Sequence, residues 1–145
     1  MSQKRDAAIV GIYEYPLRVV GPGVSSLQIK AESAAKALAD AGLEWNDVDG
    51  IFDTAEGGGG GLGIAEYLGL HPTYIDTTAV GGSSFEFQAN HAVQAIAAGK
   101  CKVALLTYGS TSHSDMNAIG TAGPGAGRAN MFTNMENPWG LTLIS

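Results

Sequence analysis

The run Asp76-Thr77-Thr78-Ala79-Val80-Gly81-Gly82-Ser83-Ser84-Phe85-Glu86-Phe87 carries the fold of this chain. β-Branched and aromatic residues from Tyr74 to Val80 predict a strand, and it stops at two glycines. Ser83 with Glu86 three residues on has the spacing of a capping box, so a helix should open there. Its apolar face is expected at Phe85, Ala89, Ala92, Val93 and Ile96, and Gly99 ends it. A strand that turns sharply into a buried helix aims backbone N–H groups at whatever sits above the turn. Enzymes use this corner to present a nucleophile.

Outward from this corner, the same alternation repeats. Ala7 to Ile12 reads as a short, wholly apolar strand, the pattern of a parallel sheet covered on both faces. Pro16, Gly21, Pro22 and Gly23 mark a loop. Ser25 with Gln28 predicts a helix start, and Leu27, Ala31, Ala34, Ala35, Leu38 and Ala41 recur at helical spacing. Gly42 suits the helix end, with Leu43 following for the Schellman contact. Val48 to Thr54 is a second strand, Leu62 to Leu70 a short helix, Tyr74 to Val80 a third strand and Ser84 to Ala98 a third helix. Lys102 to Tyr108 is a fourth strand. This order predicts an α/β fold, a mostly parallel sheet with helices on both faces. From Gly109 the sequence becomes rich in Gly, Ser, Asn and Met and loses its period. A long irregular stretch of this kind is unusual inside a compact domain.

Composition narrows the function. Glycine supplies 21 of 145 residues, twice the usual share of ~7%, which calls for tight turns or close backbone approaches. The net charge of −6 and the lack of a Lys/Arg cluster argue against nucleic acid and anionic membrane. No apolar run approaches the ~20 residues that span a bilayer, and no signal-peptide pattern is visible. The single cysteine fits a reducing cytoplasm. One Cys and three scattered His offer too few ligands for a structural zinc site.

Several residues could carry chemistry, each with a plainer reading. Gly81-Gly82-Ser83-Ser84 could leave space and backbone donors beside an oxyanion, with Ser83 adding a hydroxyl; otherwise it is a strand–helix turn capped by Ser83. Neither serine has a His base beside it in sequence, so a serine nucleophile is not expected. Gly58-x-Gly60-x-x-Gly63 matches a dinucleotide fingerprint, with Asp76 18 residues past Gly58. Five consecutive glycines satisfy almost any such pattern, however, and this is the second βα turn rather than the first. The plainer reading is a flexible loop at the sheet edge. Cys101 reads as a small buried hydrophobe, His91 as a core or interface residue, and His71 as a helix-end residue. His113 and Asp115 follow the fourth strand, where open α/β sheets bind ligands. They could orient a substrate or water, or belong to a polar loop. Met116, Met131, Phe132, Met135 and Trp139 are packing residues or a binding surface.

Several stretches together resemble the thiolase superfamily, especially its sterol-carrier-protein and lipid-transfer-protein types. They are the 76–87 turn, the opening Ala7-Ala8-Ile9-Val10-Gly11-Ile12, Ala37-Leu38-Ala39-Asp40-Ala41-Gly42-Leu43, Asp47-Val48-Asp49-Gly50 and Ala95-Ile96-Ala97-Ala98-Gly99. The resemblance covers about residues 6 to 110 and the remainder loosely. It implies a three-layer half with strand order 3-2-1-4(-5). Residues 1–108 would form the α/β half-domain and 109–145 the start of a loop domain, in a chain that is a fragment, one subunit of a split enzyme or a divergent single domain. In the family a cysteine at this turn takes the acyl group. Here that position falls on Gly81 or Gly82, leaving Gly81, Gly82 and Ser83 as the catalytic-turn residues and no thiol. The resemblance therefore implies an acyl-CoA substrate and carbon–carbon bond cleavage or formation of the retro-aldol type, without a covalent acyl-enzyme. A non-catalytic acyl-CoA- or lipid-binding or structural subunit is the other reading. Coenzyme A would enter as part of the substrate, with no other cofactor and no metal. Family acid–base motifs would lie beyond Ser145. The implied partners are a second copy, joined through strand Tyr74–Val80, and a zinc-ribbon/OB-fold protein of the kind that pairs with thiolase-like aldol lyases.

Overall fold

The computed structural model of the protein describes residues 7–57 and 59–115. These divide into two compact units, 7–16 with 23–110 and 17–22 with 111–115.

The first unit is built on a parallel sheet. Helix α1 (Ser26–Ala41) opens where the sequence predicts, with the Ser25 side chain accepting the Gln28 N–H at 3.1 Å. The Gln28 side chain does not return to the cap; it donates to Glu32 Oε1 at 2.8 Å. Gly42 ends the helix in the left-handed conformation, φ 67°, and the Leu43 N–H reaches the Leu38 carbonyl at 2.9 Å, the closing bond of a Schellman motif. Three strands follow: β1 (Gly50–Asp53), β2 (Tyr74–Thr77) and β3 (Ala104–Thr107). Helix α2 (Gly60–Leu68) joins the first two and α3 (Ser84–Ala97) the last two.

The strand order is β2-β1-β3, all parallel, with Gly50 paired to Tyr74 on one side and Ala104 on the other. All four residues of β1 are buried, as a central strand covered on both faces requires. Successive side chains alternate between faces. Ile51 joins Ala34 and Leu38 of α1, Ile64 and Ala65 of α2, and Leu105 in one core cluster. Phe52 joins Ala92 and Ala95 of α3 and Cys101 in the other. The architecture is a three-layer α/β/α half.

One expectation is corrected. Ala7–Ile12 forms no strand, so the described sheet lacks the central strand of the expected order 3-2-1-4. The segment instead runs along the C-terminal turns of α1. A Cβ on Gly11 would lie 2.2 Å from the Ala37 carbonyl oxygen, and the Ile12 N–H donates to Asp40 Oδ2 at 3.0 Å. Ile9 is 86% exposed. Both flanks of β1 are already taken. The Asp49 carboxylate accepts the N–H groups of Lys102 and Val103 at 2.8 Å each and holds the entry of β3 against β1.

A buried ion pair joins α1 to the carboxyl ends of β1 and β3. Lys30 Nζ lies 2.9 Å from each Asp53 oxygen, with both side chains fully buried. It also donates to the Glu56 carbonyl. Asp53 further accepts the Ala55 N–H at 2.8 Å and the Thr107 hydroxyl at 2.7 Å. Every member is satisfied, which is the condition for burying charge.

In the second unit the Val20 N–H donates to Ser114 Oγ at 2.9 Å, and the Thr111 hydroxyl donates to Asp115 Oδ2 at 2.7 Å. Met116, Met131, Phe132, Met135 and Trp139 lie outside the described residues, as do residues 116–145 as a whole. No helix among the described residues is long and apolar enough to cross a membrane.

Removing Lys30 alone strands a buried carboxylate. Lys30→Met should cost about 3–5 kcal/mol in denaturant unfolding, and adding Asp53→Leu should recover much of that loss. A single substitution costing less than about 1 kcal/mol would show the pair to be dispensable.

Candidate functional site

The turn between β2 and α3 forms where the sequence places it, and its fastening differs. Gly81 is left-handed, φ 78°, a conformation that favours glycine. Ser83 sits at the N-cap position but its side chain makes no cap bond, so the expected Ser83–Glu86 capping box is absent. Ser84 does the fastening. Its hydroxyl donates to the Gly81 carbonyl at 2.6 Å and accepts the Val80 N–H at 2.9 Å. The next serine along thus closes the turn, a choice that two adjacent serines leave undetermined in sequence.

Above the turn there is room. A Cβ on Gly81 or Gly82 would meet nothing within 4 Å among the described residues. Gly82 has no positive φ, so a side chain there would be unstrained and would fill that space. The corner offers no thiol, and the Ser84 hydroxyl is committed to the backbone.

The buried face of α3 also departs from expectation. Ser84, Gln88, Ala92 and Ala95 are buried. Phe85 is 41% exposed and Val93 43%, so the predicted apolar face is rotated. Phe85 meets Tyr108 edge-on, with ring centroids 5.2 Å apart. Toward the strand, Gln88 Nε2 donates to the Thr78 carbonyl at 3.1 Å, and the Thr78 hydroxyl donates to Asp76 Oδ1 at 2.6 Å. His91 Nδ1 lies 2.8 Å from Asp76 Oδ2. The sequence treats His91 as a core or interface residue and gives Asp76 no partner in this cluster. Their signal was the spacing: 84, 88 and 91 share one helical face.

The glycine run is a packing device. Gly60 and Gly61 open α2 and are buried. A Cβ on Gly61 would come within 2.6 Å of Ile75 Cγ2 and 3.2 Å of the Asp76 carbonyl, and the Gly61 N–H donates to Thr77 Oγ1 at 3.0 Å. These residues let a helix end press onto β2, in place of the expected flexible loop. Asp76, the residue a ribose would need, is held by Thr78 and His91. Gly58 lies outside the described residues.

Cys101 is buried under Gly50, as expected of a small hydrophobe. Burial, and after it the Asp49 carboxylate, pushes its thiol pKa up, which disfavours the thiolate a nucleophile needs. Gly81, Gly82 and Ser83 are together in one turn. His113 and Asp115 belong to the second unit, where His113 is exposed and the Asp115 N–H donates to the Thr111 carbonyl at 2.9 Å. No cluster of three or more metal-ligating side chains occurs among the described residues.

The fold is thiolase-like, matched over part of larger molecules. An Ltp2–ChsH2(DUF35) aldolase shares 27% identity, over 93% of this chain and 34% of its own, with a TM-score of 0.66. A monomeric SCP2-thiolase-like protein of type 1 from Mycobacterium smegmatis shares 27%, over 68% of this chain and 22% of its own, with a TM-score of 0.54. No family model and no curated protein matches. The chain thus spans about a third of the length of the first structure and less of the second. The chain is thiolase-like, by its likeness to both structures.

The two glycine sites should separate in a stability assay. Gly61→Ala forces β2 and α2 apart and should cost about 1–3 kcal/mol. Gly82→Val should leave the unfolding midpoint close to wild type. Equal losses at both would show that the turn, too, is closely packed.

Proposed function

We propose that the chain is the N-terminal half of a thiolase-like enzyme acting on acyl-CoA thioesters by carbon–carbon bond cleavage or formation of the retro-aldol type. The observation that carries this is the open corner: Gly81 and Gly82 leave space above the turn, no thiol stands there, and the Ser84 hydroxyl is committed to the backbone. The likeness to an aldolase supports it. In the cleavage direction a base removes the proton of a 3-hydroxyacyl-CoA hydroxyl. The O–H electron pair becomes the new C=O bond, the Cα–Cβ bond breaks, and its electrons pass to the thioester as an enolate. The turn's part is to donate backbone hydrogen bonds to that oxyanion. A proton returned to Cα completes a shortened acyl-CoA and an aldehyde or ketone. The base and acid would come from chain beyond Ser145 or from a partner. The loop domain would begin after residue 108, with His113 and Asp115 orienting substrate. The setting would be a cytoplasmic, larger or two-subunit enzyme with a zinc-ribbon/OB-fold partner; the aldolase it resembles is itself an Ltp2–ChsH2(DUF35) assembly.

The exposed apolar face of α3 favours a second reading, a non-catalytic acyl-CoA- or lipid-binding or structural subunit. Phe87 and Val93, exposed on α3, and β2 at the edge of the described sheet support a homodimer joined through Tyr74–Val80. Light scattering of the full-length protein at micromolar concentration should give the dimer mass; a monomer would contradict the pairing.

Full-length protein incubated with a 3-hydroxyacyl-CoA should release the shortened acyl-CoA and leave the protein mass unchanged. Gly82→Val should abolish turnover with its fold retained. A stable acyl adduct on Ser83, Ser84 or Cys101 would overturn the non-covalent reading, and absent turnover would favour the subunit.

A further inference from the structure

We propose that Ser84, Gln88 and His91 are positioning residues, a polar stripe on α3 that fixes the strand exit and the Gly81–Ser83 turn. The effect on turnover rests on the acyl-CoA reading above; the positioning itself does not.

The stripe is costly, and that is the first argument for it. At these positions α3 buries a serine and a glutamine, while Phe85 and Phe87 beside them remain exposed. Gln88 is fully buried, and its Oε1 has no hydrogen-bond partner among the described residues. A buried acceptor left unpaired loses stability, and places where a local rule is broken in this way gather at functional sites.

The second argument is where the bonds go. Residues 84, 88 and 91 lie on one helical face, and each fastens a successive piece of the segment leaving β2. His91 holds the Asp76 carboxylate at 2.8 Å, and Asp76 holds the Thr78 hydroxyl at 2.6 Å. Gln88 takes the Thr78 carbonyl at 3.1 Å. Ser84 takes the Val80 N–H at 2.9 Å and the Gly81 carbonyl at 2.6 Å. The segment from 76 to 81 is thereby tied to α3 at four points, three of them backbone atoms, while Gly81 and Gly82 remain open above among the described residues. Donors that act on a developing charge must be fixed beforehand, and glycines cannot fix themselves.

Gln88→Met keeps the length and shape of the side chain, removes the Thr78 bond and also removes the unpaired oxygen. The expected signature in the full-length protein is a melting temperature close to wild type together with amide exchange at least tenfold faster across residues 79–83. Exchange at Ile51 and Phe52 should be unchanged. His91→Ala should give the same local loosening. His91→Asn, whose amide nitrogen can take the place of Nδ1, should restore slow exchange. With a 3-hydroxyacyl-CoA, kcat should fall at least tenfold in Gln88→Met and His91→Ala, with KM within threefold. Unchanged exchange at the turn in both variants, or exchange rising equally in β1, would overturn the positioning. Loosened exchange with kcat within twofold of wild type would overturn its catalytic consequence. Absent turnover in the wild type would sink the acyl-CoA reading instead, and the exchange data would still decide the positioning.

Discussion

The Lys30–Asp53 ion pair is the constraint on which the rest of the unit depends. It sits where β1 and β3 end side by side, under helix α1. In open α/β sheets this is the crevice that ligands usually enter. Here it is filled by a lysine, a carboxylate and the Thr107 hydroxyl, all buried. The same charges fix the loop after β1. The Ala55 N–H is tied to Asp53, and Ala55 is held at φ 66°, a left-handed conformation that costs an alanine about 1–2 kcal/mol. Gly57 presses on Ser26, and Gly109 presses on Lys30 and Ser26. The β1–β3 crevice at this sheet edge is thus occupied by the chain's own side chains. The open space described at this edge lies over the 81–82 corner, at the end of β2.

That corner is stabilised in an unusual currency. Most helices bury their aromatic residues and expose their polar ones. At its start α3 does the opposite, and the hydrogen bonds from Ser84 and Gln88 offset only part of the loss. Hydrophobic packing is non-directional. Hydrogen bonds to named backbone atoms are directional, and they can hold a glycine turn in one shape. The outward aromatics Phe85 and Phe87 are the other side of the same rotation.

Much of the fold was legible because its signals are local. Ser25 and Gly42 bracket α1 by caps, and apolar and β-branched runs locate β1, β2 and β3. The position of the corner followed from two glycines after a β-branched run. Pairing was less legible, because Ala7–Ile12 has the composition of a strand and only the occupied flanks of β1 exclude it from the described sheet. The Lys30 pair was missed although a clue was present. Lys30 falls on the stripe with Ala34, Leu38 and Ala41, and Asp53 ends an otherwise apolar strand; a lone charge on an apolar face implies a buried counter-charge. For α3 the pattern misled, since Phe85 and Val93 look like core by type and are exposed by geometry. The Gly57–Gly61 run was ambiguous for a different reason: glycines serve ligand approach and helix packing equally, and only the contacts of Gly60 and Gly61 with β2 separate the two.

A structure of the full-length protein with a bound, non-hydrolysable acyl-CoA analogue tests the central claim most directly. The account predicts the thioester carbonyl oxygen within hydrogen-bonding distance of backbone N–H groups at the Gly81–Ser83 turn, with no bond joining ligand to protein. A ligand seated at the Gly57–Gly61 run, or one covalently attached to a side chain, would contradict it.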